Sequence, residues 1–267
     1  MKYALIAGAG SDLAKVVIEE LQKEFIIFAL DINPVLSQVF ISHKRVVPFV
    51  CDLRDIVQIQ SVKDQIEKIT TKLDLIINFA GLVTLGSTIE IPVSTVKTMF
   101  EVNLLGCYAV NQIFFPLVQL CQGRIINVSS EYGLLLGLPF HSFYTMTKHA
   151  LEVYNDSLRR EVTGLGVKVI LIRPGAFSTK MQQNIQAQFA ILLEETTHFK
   201  LALTRMKSLM DGELKRAKNP TKIIKTFKKV IIGRRPKIAY NIGHSFKMKL
   251  LNILPIRLQD WLLSKFL

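Results

Sequence analysis

Tyr144 and Lys148 are the residues whose types and spacing most directly suggest chemistry in this 267-residue chain. They stand four positions apart in a segment of helical periodicity, so both side chains lie on one face of the predicted helix. A free phenol has a pKa near ~10 and is a poor base at neutral pH. An ammonium group ~5 Å away, at an effective dielectric constant of ~20, would favour the phenolate by roughly 3 kcal/mol, or about 2 pKa units. The pair therefore predicts a general acid–base group.

Further polar residues follow predicted strands or lie in a predicted helix upstream. They are Asn103, Ser129, Ser130, Arg173 and Thr179. A tyrosine and a lysine at this spacing are common by chance, and unrelated surface polar residues are the alternative interpretation. The ordered set, placed beside successive strands, nevertheless predicts a single catalytic site.

A glycine-containing turn near the start of the chain could bind a phosphate group. This cofactor loop, residues 7–14, has the sequence Ala-Gly-Ala-Gly-Ser-Asp-Leu-Ala between a predicted strand and a predicted helix. Glycine allows close backbone approach, and the helix N-terminus offers N–H groups. We predict backbone contacts to a pyrophosphate from Gly8, Gly10, Ser11, Asp12 and Leu13, with the Asp12 carboxylate turned away or capping the helix. An ordinary strand–helix turn is the alternative.

Asp31, at the end of the second predicted strand, bears on the choice of cofactor. In dinucleotide-binding sheets an acid at this place hydrogen-bonds the adenosine ribose hydroxyls, and it would repel a 2′-phosphate. No Arg or Lys directly follows it. NAD(H) is therefore favoured over NADP(H), and a simple turn aspartate is the alternative.

Taken in order, these motifs resemble the short-chain dehydrogenase/reductase family from residue 1 to about 180. Asn78-Phe79-Ala80-Gly81 is similar to the family's Asn-Asn-Ala-Gly, with Phe79 in place of the second Asn. The cofactor loop departs from the family's Thr-Gly-x-x-x-Gly-x-Gly because Asp12 and Ala14 stand at two of its glycine positions. The larger departure is Asp12, whose carboxylate would repel a pyrophosphate unless it points away.

The resemblance implies a role for each catalytic residue. Tyr144 exchanges a proton with the substrate oxygen, and Lys148 lowers its pKa and binds the nicotinamide ribose. Ser130 hydrogen-bonds the reacting oxygen, and Asn103 holds a water that links Lys148 to solvent. Ser129 is the alternative serine, because the distance in sequence from Ser130 to Tyr144 is one residue longer than is common in the family. The resemblance also implies cofactor contacts at Asp52 (the adenine ring), Leu53, Asn78, Ala80, Gly81, Pro174, Gly175 and Thr179 (the carboxamide).

The elements that must position these residues follow an alternating pattern. Apolar runs predict strands at 2–7, 25–30, 45–50, 74–77, 124–128, 167–172 and 237–240. Helical patterns lie between them, so we expect one α/β domain over 1–267 with a doubly wound Rossmann-type parallel sheet. Residues 176–219 depart from this alternation of strands and helices, because they contain helical stretches and no strand. They predict a flap over the substrate.

The stretch Leu-Leu-Leu-Gly-Leu-Pro-Phe at 134–140 predicts, together with the flap, an apolar lining for the substrate cavity. It resembles steroid- and retinol-type members of the family, so the expected substrate is an apolar alcohol, ketone or aldehyde. The alternative is that these leucines pack in the core. His141 is expected to lie at the cavity mouth without a catalytic role.

Positive charge is concentrated at the end of the chain. Residues 200–267 contain 17 basic and 3 acidic side chains, whereas the whole chain contains 34 and 21. The tail, residues 246–267, combines this charge with apolar residues and predicts an amphipathic segment for an anionic membrane surface. Packing against the core or a second subunit is the alternative. No nucleic-acid-binding motif accompanies the charge.

Three cysteines, none at metal-ligand spacing, and a strand-like N-terminus predict a cytoplasmic protein, attached to a membrane at most peripherally. We expect a homodimer or homotetramer through the helices around 103–119 and 142–160, as family resemblance implies. Two other functions stay open. One is a reductase of 3-oxoacyl groups on a carrier protein or coenzyme A, and the other is a non-catalytic nucleotide-binding scaffold.

Overall fold

The computed structural model describes residues 1–265, without the side chains of 208–211, 213–215, 247 and 249. One seven-stranded sheet runs through the molecule in the spatial order β3-β2-β1-β4-β5-β6-β7. Its strands are β1 (Lys2–Ala7), β2 (Phe25–Asp31), β3 (Val46–Val50), β4 (Leu75–Asn78), β5 (Arg124–Val128), β6 (Lys168–Pro174) and β7 (Ala239–Ile242). All six neighbouring pairs are parallel. The strand order reverses between β1 and β4, which is where such sheets open a ligand crevice.

Helices cover both faces of this sheet, as a parallel sheet requires. They are α1 (Asp12–Leu21), α2 (Leu36–Val39), α3 (Ile56–Glu67), α4 (Val93–Phe100), α5 (Cys107–Gln119), α6 (Ser142–Glu161), α7 (Lys180–Glu195), α8 (Lys200–Lys215), α9 (Ile224–Ile232), α10 (Phe246–Ile253) and α11 (Ile256–Ser264). Buried side chains of α1, α2 and α9 pack on one face, and those of α3 and α5 pack on the other. The predicted doubly wound Rossmann-type sheet is confirmed.

The sequence-predicted elements agree with these bounds to within about two residues for most strands and helices. The strands β1 and β5 have the predicted bounds, and α6 (Ser142–Glu161) is the helix expected around Tyr144 and Lys148. Its buried residues Tyr144, Lys148, Leu151 and Asn155 recur at helical spacing, so one face of the helix is fixed against the sheet. The two catalytic candidates therefore point inward.

The flap contains α7 and α8, and no strand was predicted or found among its described residues beyond a single bridge between Phe177 and Lys218. Its helices pack in a small apolar cluster that includes Leu85 and Phe140 from outside the flap. Lys218 N–H donates to the carbonyl of Ala176, and Ser178 N–H donates to that of Lys218. These two bonds join the ends of the flap.

The tail forms α10 and α11, which Pro255 separates. The side chain of Asn252 donates to the Leu134 carbonyl and accepts from Leu136 N–H, which attaches α10 to the loop before α6. Several large apolar side chains of the tail are exposed, by 78% at Phe246 and 77% at Ile253. Packing against the core therefore buries only some of the apolar side chains of the tail. Phe266 and Leu267 lie outside the described residues.

In the part of the chain that the structure describes, every helix is too short or too polar to cross a bilayer.

Candidate active site

Tyr144 and Lys148 lie on the inward face of α6, at the wall of a cavity of about 890 Å³. Both are buried, with 8% and 4% of their surfaces exposed. The Lys148 Nζ is 5.7 Å from the centroid of the Tyr144 ring, and it donates to the Val128 carbonyl over 3.3 Å. The helix therefore brings the two groups together at the end of β5, as the sequence predicted.

Burial dominates the ionisation of this pair. It raises the pKa of Tyr144 to about 12, with the Ser130 hydroxyl lowering it and the charge of Glu131 raising it further. Burial also lowers the pKa of Lys148 to about 8. The pKa of Tyr144 is therefore raised, and not lowered as its pairing with Lys148 predicted, because desolvation outweighs the effects that lower it. Tyr144 is protonated at neutral pH.

The two serines differ in their surroundings. The Ser130 hydroxyl is close enough to the Tyr144 phenol to lower its pKa, and its Oγ accepts from Tyr132 N–H in a turn of 3-10 helix over Glu131–Gly133. The Ser129 Oγ is buried without a hydrogen-bond partner among the described residues. Both serines line the cavity. The contact with the phenol favours Ser130 as the residue that acts with Tyr144.

Asn103 lies in a π-helical segment, Glu101–Gly106, between α4 and α5. Such wide turns often occur at functional sites because they redirect one side chain. The Asn103 Oδ1 accepts from Leu82 N–H over 2.6 Å, and its Nδ2 donates to the Leu82 carbonyl and to Thr147 Oγ1. The side chain thus fastens the loop after β4 to α6. Its proposed water stays a prediction.

The cofactor loop closes tightly against neighbouring strands. Gly8 has a φ of +77°, and a Cβ there would lie 2.3 Å from the backbone nitrogen of Ala80, so only glycine fits. Ser11 caps α1 by accepting from Ala14 N–H. The Asp31 carboxylate accepts from Gly10 N–H over 2.7 Å, which places it against the loop. Gly10, Ser11, Asp12 and Leu13 all line the cavity.

The comparisons with known proteins agree with this geometry. Residues 2–190 match the model of the short chain dehydrogenase family. The chain belongs to the short-chain dehydrogenase family.

Two curated relatives illustrate the range of the family. Estradiol 17-beta-dehydrogenase 2 of Mus musculus is 30% identical over 207 residues, which are 71% of this chain and 54% of that protein. The chain thus spans about half the length of that relative. The 3-ketodihydrosphingosine reductase of Bacteroides thetaiotaomicron is 24% identical over 261 residues, covering 97% of this chain and 92% of that one.

A solved short-chain dehydrogenase from Streptomyces avermitilis superposes with a TM-score of 0.79 at 18% identity. The match covers 99% of this chain and 96% of the solved one. At that identity the likeness concerns the fold.

Asp12 departs from the family's glycine, and its side chain is directed to the start of α7. Its Oδ2 accepts from the backbone N–H of Lys180, the first residue of α7, over 2.6 Å. The alternative that Asp12 caps α1 is wrong, because Ser11 is the cap. The expectation that its carboxylate points away from a bound pyrophosphate stays a prediction.

Several other predicted cofactor residues lie around the cavity wall. Gly81, Pro174, Gly175 and Thr179 line it. Thr179 caps α7 by accepting from Gln182 N–H. Asp52 and Leu53 do not belong to the wall: the Asp52 carboxylate is held by Arg54 at 2.6 Å, and Leu53 is buried in the core. Their adenine contacts stay a prediction.

Asn78 has a role that the sequence did not predict. Its side chain turns into the interior and donates to Asn111 and Asn127, and Asn127 donates in turn to Asn155 on α6. Its amide therefore serves the core rather than the cavity, and Ala80 likewise packs in the core. The signal was present in the sequence, because Asn127 interrupts an otherwise apolar strand and a buried amide must find partners.

The substrate end of the cavity also differs from expectation. Residues 134–140 were predicted to line it, but Tyr132 and His141 do so instead, and Phe140 packs with the flap. Burial lowers the pKa of His141 to about 4, so its ring is neutral at pH 7 and stacks on Tyr132. The loop turns inward at Phe140, whose φ is +63°.

Sequence reasoning missed other residues of the cavity wall. They include Glu131, His244, Phe246 and Met248. The Glu131 carboxylate accepts from Ser245 N–H at the start of α10, which brings the tail to the site. These residues belong to segments far apart in the chain, so no local pattern marks them.

Proposed function

We propose that this protein is an NAD(P)-dependent oxidoreductase that interconverts an apolar alcohol and the corresponding ketone or aldehyde. The observation that carries the proposal is the buried Tyr144, beside Ser130 and close to Lys148, on the wall of a cavity that also reaches the cofactor loop. A proton donor and a nucleotide-binding turn on one cavity are what carbonyl reduction by a nicotinamide needs.

The residues present fit a dinucleotide. The cavity wall runs from Gly10 and Ser11 at the N-terminus of α1, past Gly81, to Lys148. A Cβ at Gly81 would lie 3.4 Å from the Lys148 Nζ, so the bare backbone leaves a cradle beside that ammonium group. Backbone N–H groups of the loop would hold the pyrophosphate, Lys148 would hold the nicotinamide ribose and Thr179 its carboxamide. The nicotinamide, when bound, supplies or accepts the hydride.

The protein's own residues would handle the proton. Ser130 and Tyr144 hydrogen-bond the substrate oxygen, and Tyr144 donates its proton as negative charge develops there. The charged Lys148 stabilises the phenolate that is left. Asn103 holds the loop after β4 against α6 through two hydrogen bonds. The family resemblance implies that Asn103 also binds a water molecule, through which a proton from solvent would reach Lys148. A high pKa keeps Tyr144 protonated at neutral pH, which is the state that can give a proton during reduction.

Asp31 supports NAD(H) over NADP(H). Its carboxylate lies against Gly10 at the end of β2, where it would accept from ribose hydroxyls and repel a 2′-phosphate. Because the preference would depend on the charge of Asp31, a substitution that removes this charge tests it.

The substrate is proposed to be apolar and lipid-, steroid- or retinoid-like. Leu82, Val83, Ile185, Phe246 and Met248 supply an apolar wall, and such walls bind apolar ligands by removing their surface from water. The names of the two relatives, which concern a steroid and a sphingoid ketone, support this class.

A second candidate is a reductase of 3-oxoacyl groups on an acidic carrier protein or coenzyme A. The observation in its favour is that Arg216 and Lys218 also line the cavity. Two cations at a cavity wall suit a substrate with a phosphate or carboxylate handle.

We further propose that the tail attaches the enzyme peripherally to anionic membranes at the cytoplasmic side. Ile253, Ile256 and Trp261 are exposed by 55% or more, and residues 200–267, to which they belong, carry 17 basic and 3 acidic side chains. Phe246 both lines the cavity and is exposed, so an apolar substrate could enter from the membrane at that point. An exposed apolar and basic helix of this kind binds membrane interfaces.

A homodimer or homotetramer is also proposed, through α5 and α6. Among the apolar residues of these helices, Phe114, Leu117, Val118 and Leu151 are buried in the subunit's own core. Exposed apolar residues in or beside the two helices are Leu105, Tyr108, Met146 and Val153. These four would form the interface, and sedimentation of Val153→Glu against wild type tests it: an unchanged oligomer, or a wild-type monomer, contradicts the assignment.

The deciding experiment is a substrate panel with NADH and NADPH. It should contain sterols, retinoids, long-chain ketones, 3-oxoacyl thioesters and sugars. Turnover of an apolar ketone with NADH supports the first candidate, and turnover confined to 3-oxoacyl thioesters supports the second. Binding of NADH without turnover of any member would favour the scaffold and contradict the proposal.

A further inference from the structure

Asp12 makes a contact that links two parts of the protein 168 residues apart in the chain. Its carboxylate accepts from Lys180 N–H over 2.6 Å. Lys180 is the first residue of α7, so this N–H has no acceptor within its own helix. A carboxylate at that end also interacts favourably with the helix dipole. A glycine at position 12, as in the family pattern, has no side chain with which to make this contact.

The contact lies where the cofactor loop and the flap meet. Ser11 and Asp12 begin α1, Thr179 and Lys180 begin α7, and all four line the cavity. The N-termini of the two helices therefore approach the same space, and the Asp12 carboxylate joins them.

The rest of the flap is attached elsewhere. In the middle of α7, Gln188 accepts from Leu85 N–H and donates to the Val83 carbonyl. Beyond the end of α7, Glu90 accepts from Thr196 Oγ1 and from two backbone N–H groups. These attachments hold the distal end of the helix to the loop after β4, and Asp12 holds its proximal end to the cofactor loop.

We propose that Asp12 is a positioning residue that latches α7 to the cofactor loop, so that the flap is held over the cavity before the cofactor binds. The presence of aspartate in place of glycine at position 12 then has a physical reason. The Asp12 carboxylate holds α7 to the cofactor loop without the help of a bound cofactor. The latch acts through flap position and not through the reacting atoms.

Both partners of the bond can be altered independently. Asp12→Gly removes the acceptor. Lys180→Pro removes the donor while keeping the helix, because proline is favoured at the first helical position. Thr179, with φ −138° and ψ 164°, already has the extended conformation that a residue before proline adopts. Lys180→Ala keeps the N–H and is the matched control, and Asp12→Asn keeps a neutral acceptor.

Hydrogen exchange of the amides at 181–195, measured by mass spectrometry without added cofactor, tests the latch. Asp12→Gly and Lys180→Pro should each speed exchange about tenfold, in keeping with the loss of one hydrogen bond to a charged group. The double variant should exchange no faster than either single one, because both remove the same bond. Lys180→Ala should match wild type, and Asp12→Asn should fall between. Saturating NADH should restore protection in Asp12→Gly and add little to wild type.

Equal exchange in wild type, Asp12→Gly and Lys180→Pro would overturn the proposal. So would additive effects in the double variant, or an effect of Asp12→Gly that Lys180→Pro does not share. These readouts need no substrate, so they separate failure of the latch from failure of the proposed activity. NADH affinity of Lys180→Pro, measured by fluorescence, should stay within about threefold of wild type; a larger loss would show that position 180 acts on the cofactor directly and would count against a latch.

Discussion

The cofactor side and the substrate side of the cavity are built differently. The cofactor side rests on the centre of the sheet, where Ala4, Leu5, Ile6 and Ala7 of β1 are fully buried. The substrate side is held by side-chain hydrogen bonds from Gln188, Glu90 and Asn252, with one small apolar cluster. Local opening requires less free energy where few apolar contacts must break. The proposed reacting residues are therefore fixed by the sheet, whereas fewer apolar contacts hold the proposed substrate end in place.

Tyr144→Phe should have the largest effect, because it removes the proton donor from the rigid side. Turnover should fall about a hundredfold to ten-thousandfold, the usual contribution of a positioned acid. NADH binding should be nearly unchanged, since the ring and its packing remain. Tyr3→Phe, in β1 and outside the cavity wall, is the control. Turnover of Tyr144→Phe within tenfold of wild type would place the proton donor elsewhere.

The pH dependence should come next in size. The pKa of Lys148 is lowered to about 8, so its charge is present below that pH and is lost above it. Tyr144 stays protonated throughout, with a pKa of about 12. The kcat/KM for reduction should be level from pH 6 to 7.5 and then fall, by up to about tenfold per unit. In Lys148→Arg the fall should disappear, because arginine keeps its charge. A rate that rises from pH 8 to 10 contradicts this assignment.

Asp31→Asn should change cofactor choice without changing the proton chemistry. Loss of the charge at the end of β2 should shift the ratio of NADH to NADPH affinity by about tenfold, a ~1.4 kcal/mol change. Titration of protein fluorescence with each cofactor measures it, with Asp64→Asn on the exposed side of α3 as control. If wild type already prefers NADPH tenfold, Asp31 does not set the preference.

The smallest expected effect concerns the exposed substrate side. Ile253→Ser and Trp261→Ser together should weaken flotation with anionic vesicles several-fold, because each removes apolar surface from the membrane interface. Ile41→Ser, at a site 86% exposed and outside the tail, is the matched control. Binding should also fall in high salt, as screening requires. Equal flotation with neutral and anionic vesicles at low salt would leave the tail with a packing role.

The difference between the two sides also separates what could be predicted from what could not. The seven strands, α6 and the Tyr144–Lys148 pair follow from local periodicity and spacing, because a buried strand or a helix face imposes its own pattern on neighbouring residues. The prediction that residues 134–140 line the substrate end of the cavity was wrong. There, the backbone conformation at Phe140 and the contact between Asn252 and the loop decide which side chains face the cavity.

The sequence by itself determined the fold class, the family and the chemical types at the reacting centre, since each is written in residues close together in the chain. The tertiary structure decided the ionisation of Tyr144, the partner of Asp12 and the asparagine network of Asn78, Asn127 and Asn155. Burial and long-range contacts depend on how the chain packs and not on local sequence. In the motif, Asp12 is only an aspartate at a position where the family has glycine. In the folded protein its carboxylate accepts a hydrogen bond from the first residue of α7, 168 positions away.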